Sequence, residues 1–265
     1  DVIITGEASS NFGMSMVTGD FNADRKVDLA VGADAYSTQT GRAYTFYNDG
    51  SIPTTAATAD VIITGETVSD LFGISLVSGD FDTDGKTDLI VGAPGYSLSA
   101  GRIYLFYNGF STNTADFADV IIDGAASSGF GQKLAAGDLN ADGKTDVIAS
   151  TYIYSSNTGR VYIFYQTAFF NPGSVSGADV TMTGSGTSNS FGYSLITSDF
   201  NLDGKVDLAV SAYQYSTTTG RVYIFYNDGS YPTTAATADV TLTGPATSSN
   251  FGLSIGTGDI NADGR

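Results

Sequence analysis

Residues 72–108 read FGISLVSGDFDTDGKTDLIVGAPGYSLSAGRIYLFYN. The stretch holds three strand-like runs. FGISLVSGDF from Phe72 is Ser- and Gly-rich, whereas TDLIVGA from Thr87 and GRIYLFYN from Gly101 are nearly continuous apolar runs. A strand with one wet face alternates apolar and polar residues, so unbroken apolar runs predict burial on both faces. A fourth run, DVIITG from Asp60, is assigned to the same unit. Between the first two runs lies the sharpest motif of the chain, Asp80-Phe-Asp82-Thr-Asp84-Gly85-Lys86-Thr-Asp88.

Working outward, the same features return in phase. Asp-Val recurs at Asp1, Asp60, Asp119, Asp179 and Asp239, and Phe-Gly at Phe12, Phe72, Phe130, Phe191 and Phe251. The acidic loop opens at Asp20, Asp80, Asp138, Asp199 and Asp259, and Gly-Arg falls at Gly41, Gly101, Gly159 and Gly220. All four series step by 58 to 61 residues. Residues 1–265 are therefore divided into repeats of about 1–59, 60–118, 119–178 and 179–238, with a partial fifth at 239–265. Four strands per unit, covered on both faces by identical units, predict an all-β propeller of four-stranded antiparallel blades. A β-helix is the rival, but its coils are usually shorter and need no four-strand unit. Tyr104, Phe106, Tyr162, Phe164, Tyr223 and Phe225 are expected to fill the space between blades.

Composition removes several function classes. Lys and Arg number 11 against 28 Asp and Glu, a net charge of −17, which argues against nucleic acid as a partner. His, Cys and Trp are absent, so no His-based triad, imidazole ligand, thiol chemistry or disulfide is available. No apolar run approaches the length of a membrane span. At 42% hydrophobic residues the chain is too apolar to be a disordered acidic segment.

The acidic loops carry the candidate chemistry. The second offers Asp80, Asp82, Asp84 and Asp88; the third Asp138, Asn140, Asp142 and Asp146; the fourth Asp199, Asn201, Asp203 and Asp207. The first offers Asp20, Asn22, Asp24 and Asp28, with Arg25 where the others have Gly85, Gly143 and Gly204. The truncated fifth offers Asp259, Asn261 and Asp263. Hard oxygens at alternate positions followed by a turn glycine suit Ca²⁺. An EF-hand would need a Glu at its twelfth position, where this chain has Val31, Val91, Ala149 and Val210. The closing carboxylate comes instead at the ninth position, between strands. The expected ligands are the side chains of positions one, three, five and nine, and the backbone carbonyls of Lys26, Lys86, Lys144 and Lys205. Of the 28 acids, 15 lie in the five loops; without them the net charge is −2, and four bound Ca²⁺ would bring the whole chain to −9.

Phe-Gly, then Gly-Asp-x-Asn-x-Asp-Gly-x-x-Asp-Leu, then Val-Gly-Ala-Pro, resembles the FG-GAP repeat of integrin α-subunit propellers. Gly92-Ala93-Pro94 is complete only in the second unit; the others read Gly32-Ala33-Asp34, Ser150-Thr151-Tyr152 and Ser211-Ala212-Tyr213. The resemblance implies calcium loops on one rim of a propeller that usually has seven blades, an extracellular or cell-surface setting, and a role in adhesion or recognition. The chain stops at Arg265 before any closing Asp of the fifth loop, which leads us to expect a fragment of such a larger ring.

Strand direction sorts the remaining loops. The turns Tyr36–Arg42, Tyr96–Arg102, Tyr154–Arg160 and Tyr215–Arg221 fall on the rim opposite the acidic loops, and the Thr/Ala loops 53–59 and 232–238 on the same rim as them. A ring of Tyr and Arg could grip an acidic peptide or a sugar. Its recurrence in every unit favours a structural job instead, with each Arg capping its hairpin and each Tyr packing between blades. The leading expectation is a calcium-stabilised extracellular recognition or adhesion module with a protein or glycan ligand and no enzymatic activity. The alternatives are a self-assembling subunit of a cell-surface layer or filament, and the non-catalytic propeller of a secreted hydrolase.

Overall fold

The structure is a computed structural model that describes residues 2–167 and 170–259. Its strands form four sheets, each built in antiparallel order from consecutive segments. The first sheet contains β1 (Ser15–Gly19), β2 (Asp28–Ala33), β3 (Arg42–Phe46) and β4 (Val61–Thr64). The second contains β5 (Ser75–Gly79), β6 (Asp88–Ala93) and β7 (Arg102–Phe106). The two-residue β8 (Asn113–Thr114) then pairs parallel to β4, and β9 (Val120–Asp123) completes the second sheet. The third contains β10 (Lys133–Gly137), β11 (Asp146–Thr151), β12 (Arg160–Phe164) and β13 (Val180–Thr183). The fourth contains β14 (Phe191–Ser198), β15 (Asp207–Ala212), β16 (Arg221–Phe225) and β17 (Val240–Thr243). The fold class is the all-β propeller, written as four successive blades.

The frame of the blade differs from the frame read in the sequence. The run from Asp60 supplies β4 of the first sheet, pairing Thr64 with Arg42, and does not open the second. Each blade takes its outer strand from the next Asp-Val segment, because the chain leaving the third strand turns back alongside it. The segment before residue 5 makes a single parallel bridge, Thr5 to Thr55. Residues 251–259, which follow the fourth sheet and open with the fifth Phe-Gly, are not in a sheet. In every other repeat the strand after Phe-Gly pairs with the one that follows its acidic loop.

By internal contacts the chain divides into two compact units, Asp1–Leu134 with Gln166–Gly177, and Ala135–Tyr165 with Ala178–Arg265. In the first unit, Ala30 and Ala43 pack with Leu89, Val91, Tyr104 and Phe106, while the other face of the same strands sends Val31, Ala33 and Tyr44 toward Phe12 and Ile4. The second unit repeats the pattern, with Ile148, Val161 and Ile163 against Leu208, Val210, Tyr223 and Phe225. Both faces of the middle strands are thus buried, as their unbroken apolar runs require. Tyr104 and Phe106, Tyr162 and Phe164, and Tyr223 and Phe225 are all at least 97% buried. Each such ring contributes about 1.5–3 kcal/mol of burial.

Candidate metal centre

In each complete repeat the acidic loop joins the first strand of the sheet to the second, and its ninth residue opens that second strand. Asp28, Asp88, Asp146 and Asp207 are between 0% and 2% exposed. Each is held by backbone donors. Asp88 Oδ2 accepts the Phe81 N–H at 2.7 Å and its Oδ1 the Asn108 N–H at 2.9 Å. Asp28 does the same with Phe21 and Asn48, and Asp207 with Phe200 and Asn227, while Asp146 accepts from Leu139. The closing carboxylate therefore ties the loop to the end of the third strand. The sequence reading missed this tie, because the donor is a backbone N–H at Asn48, Asn108 and Asn227 and no particular side chain is needed to make it.

The other carboxylates fold the loop around themselves. Asp80 accepts the N–H groups of Asp84 at 3.1 Å and Gly85 at 2.9 Å, and Asp82 also accepts from Asp84, at 3.0 Å. Asp84 Oδ1 accepts the Lys86 N–H at 2.9 Å. The pattern repeats at Asp20, Asn22 and Asp24, at Asp138, Asn140 and Asp142, and at Asp199, Asn201 and Asp203. In the second loop Asp80, Asp82 and Asp88 each bring a carboxylate oxygen within 4.8 Å of the others. Burial pushes the Asp88 carboxyl up to about 6, with Asp82 and Asp80 adding to the rise. Burial also raises Asp82. Clustered hard oxygens with a poorly compensated negative charge fit an oxygen-preferring divalent cation.

Lys26, Lys86 and Lys144, whose carbonyls are the seventh-position candidates, turn their ammonium groups to Asp24, Asp84 and Asp142 at 3.2, 2.8 and 3.9 Å. Such exposed pairs are screened by water and contribute little to stability. Lys205 instead donates to the Asn227 carbonyl at 3.1 Å. Of the fifth loop, Asp259 is described, while Asn261 and Asp263 lie outside the described residues.

The loop backbone enters the left-handed region twice. The sixth position has φ of 83°, 84° and 85° at Gly85, Gly143 and Gly204, and 68° at Arg25. The fourth position does so as well, at Ala23, Thr83, Ala141 and Leu202, with φ between 57° and 65°. Nothing in those four side chains announces it.

On the opposite end of the sheets, Arg42, Arg102, Arg160 and Arg221 lie 3.6–3.9 Å from the ring centroids of Tyr36, Tyr96, Tyr154 and Tyr215. Each Arg Nε also donates to the outer strand, at Thr64, Asp123, Thr183 and Thr243. Arg42 reaches Glu7, and Arg102 reaches Glu66. These tyrosines stack on their own arginine, and Tyr215 also packs against the hydrophobic core of the second unit. The guanidinium fits because it is planar and its donors fork.

The FG-GAP repeat pattern matches residues 12–46, 72–106, 130–164 and 191–225. The chain is similar to integrin alpha-PS2 of Drosophila melanogaster, 32% identical over 234 residues, which is 82% of this chain and 16% of that protein. It is also similar to phosphatidylinositol-glycan-specific phospholipase D of Bos taurus, 33% identical over 178 residues, 60% of this chain and 21% of that protein. Against integrin alpha-IIb of Mus musculus it is 36% identical over 163 residues, covering 56% of this chain and 15% of that protein. The chain thus spans only about a fifth or less of the length of these relatives.

Proposed function

The chain belongs to the FG-GAP repeat family, and from that premise we propose that it is a calcium-stabilised recognition or adhesion module working at the cell surface or outside the cell. The observation that carries the calcium part is the convergence of Asp80, Asp82 and Asp88 within 4.8 Å in the second loop; the three other complete loops share its backbone-to-side-chain hydrogen-bond pattern. The ligands are Asp20, Asn22, Asp24 and Asp28, and their equivalents in the later loops, with the carbonyls of Lys26, Lys86, Lys144 and Lys205. A bound cation supplies positive charge that the loop's own lysines only partly provide. The chain's residues fold the loop, hold the ninth carboxylate beside the third strand and keep the two rims apart. No catalytic role is assigned to them.

The adhesion part is supported by the similarity to integrin alpha chains. A partner at the surface is a protein or a glycan. No helix among the described residues is long and apolar enough to cross a membrane. The second reading, a non-catalytic propeller attached to a secreted hydrolase, is favoured by the similarity to the phospholipase D. The division into repeats from 1–59 to 239–265 within one larger propeller of about seven blades belongs to the same proposal.

The test is melting with calcium and with chelator, alongside elemental analysis. Extracellular calcium modules have Kd of about 10⁻⁴–10⁻³ M, so about 1 mM ion should add about 2–6 kcal/mol over four sites. An unchanged Tm with no calcium in the purified chain would remove the metal assignment. Capture of a surface ligand by the chain in calcium, lost with chelator, supports the recognition reading.

A further inference from the structure

Blades built from one repeat should look alike, and three positions of the second compact unit break the pattern together. After the second strand the chain has Asp34 and Pro94 in the first two repeats, but Tyr152 and Tyr213 in the last two. After Phe-Gly it has Met14, Ile74, Gln132 and Leu253, but Tyr193 in the fourth. The Tyr152 and Tyr193 ring centroids lie 4.9 Å apart with planes tilted 54°, and those of Tyr193 and Tyr213 lie 4.1 Å apart, tilted 48°.

All three rings are half-buried and sit at the end of their sheets opposite the acidic loops. β14 is bulged between Phe191 and Leu195, so Tyr193 lies on a local departure from the ladder. Below it, the Ser194 N–H donates to Ser211 Oγ at 2.9 Å, and Ser150 Oγ donates to the Gly192 carbonyl at 2.7 Å. The ring cluster therefore rests on a hydrogen-bonded floor. Inter-blade packing of the other repeats is achieved without any of these tyrosines, so the fold itself does not demand them.

We propose that Tyr152, Tyr193 and Tyr213 form a binding platform for a neutral oligosaccharide. A pyranose presents an apolar C–H face and a hydroxyl edge. Tyrosine rings meet the first and their phenol groups the second, with few torsions to immobilise. Charge decides between sugar classes. Burial and the neighbouring phenols raise Tyr152 and Tyr213. Over longer range the net charge of −17 disfavours an acidic polysaccharide. The site names a ligand class for the recognition reading above and rests on that reading. Its position away from the acidic loops makes cation coordination of the sugar unnecessary.

The test is calorimetric titration of the full chain, in calcium, with neutral hexasaccharides of β-1,4-linked glucose, β-1,4-linked N-acetylglucosamine and α-linked mannose, and with an oligogalacturonate. At least one neutral hexamer should bind with a Kd below about 10 mM, and Tyr193→Ala and Tyr213→Ala should each weaken it about tenfold. Tyr213→Phe, which keeps the ring, should lose less, and Tyr36→Ala should leave binding unchanged. Tyrosine ring resonances of the parent, observed by NMR, should shift with the same hexamer, a readout independent of any variant's folding. The inference is overturned by no neutral hexamer binding up to about 10 mM, by binding indifferent to the tyrosines, or by preference for the oligogalacturonate. If no sugar binds while the chain still captures a surface ligand in calcium, this inference alone fails. If sugar binds but chelator leaves Tm unchanged, the calcium reading alone fails.

Discussion

Ser150 Oγ donates to the carbonyl of Gly192 at 2.7 Å, across from one blade to the next. In the first unit the equivalent bond comes from the neighbouring strand, where Ser75 Oγ donates to Gly131 O at 2.7 Å and Ser15 Oγ to Gly73 O at 2.8 Å. There the residue opposite is Gly92 or Gly32. A Cβ on Gly92 would lie 2.1 Å from Gly131 O and 2.3 Å from Ser75 Oγ. The joint keeps one hydroxyl and moves it between strands.

Gly92→Ala should therefore destabilise the chain by more than about 2 kcal/mol, since backbone as well as a hydroxyl would have to move. Ser150→Ala loses only one buried hydrogen bond and should cost about 1 kcal/mol, plus the unpaired Gly192 carbonyl. Urea unfolding of both variants checks the order. Equal effects would mean that the blades adjust their spacing freely.

Arg25→Gly should tighten the first loop. Arg25 holds φ at 68°, and the glycines at the same position hold 83–85°. A Cβ at Gly85, Gly143 or Gly204 would meet no atom within 4 Å, so only the backbone conformation is at stake. Releasing it is worth about 1 kcal/mol. Calcium titration of the variant should show one site strengthened about fivefold, the same energy expressed as affinity. No change would mean that the sixth position carries no strain.

Asp88→Asn and Asp82→Asn should separate folding from cation binding. Both oxygens of Asp88 accept backbone N–H groups, so an amide must turn an NH₂ toward one of them. The expected cost is about 2–3 kcal/mol even in chelator. Asp82 accepts only the Asp84 N–H within the loop, a bond that Asn22 makes equally well in the first loop, so its variant should unfold like the parent in chelator and bind calcium only modestly more weakly, as the loops with Asn22, Asn140 and Asn201 are proposed to do. Similar unfolding of the two would remove the structural role of the ninth position.

The Asp88 carboxyl also gives chelated protein a pH dependence. Its folded value of about 6 lies above the unfolded 3.8, so the native state binds more protons between them. This group's unfavourable contribution is present above pH 6 and is relieved as pH falls toward 3.8. Comparing parent with Asp88→Asn in chelator should show that slope only in the parent.

Arg102→Lys should cost about 1 kcal/mol, because an ammonium cannot lie flat on Tyr96 and fork to Glu66 and Asp123 together. Arg221→Lys should cost less, since Arg221 stacks on Tyr215 and donates to Thr243 and makes no ion pair among the described residues. Thermal melts of the two variants give the comparison.

The loops and the two-faced strands were legible because each repeat states them in the same words. Asp20, Asp80, Asp138 and Asp199 stay in phase, and the apolar runs around Val91 and Tyr104 leave no face for water. The blade frame was not legible. A periodic sequence has no marked start, and only the pairing of Arg42 with Thr64 shows which sheet owns the Asp60 run. The left-handed fourth loop position was equally silent, because Ala23, Thr83, Ala141 and Leu202 share no chemistry. The move of a hydroxyl from Ser75 to Ser150 was hidden by sequence distance, since each bond spans more than forty residues.

The loan of an outer strand from the next repeat bears on how such chains can grow. The copied unit of sequence need not coincide with the folded unit. Any in-phase stretch of one period carries one strand of each of the four kinds, whichever blades they come from and wherever its ends fall. Duplicating it adds a whole blade, and deleting it removes one, without a cut having to respect a sheet boundary. Crossovers anywhere along the period are then equally tolerated, which frees blade number to drift by unequal recombination while single-residue insertions within the acidic loops stay forbidden.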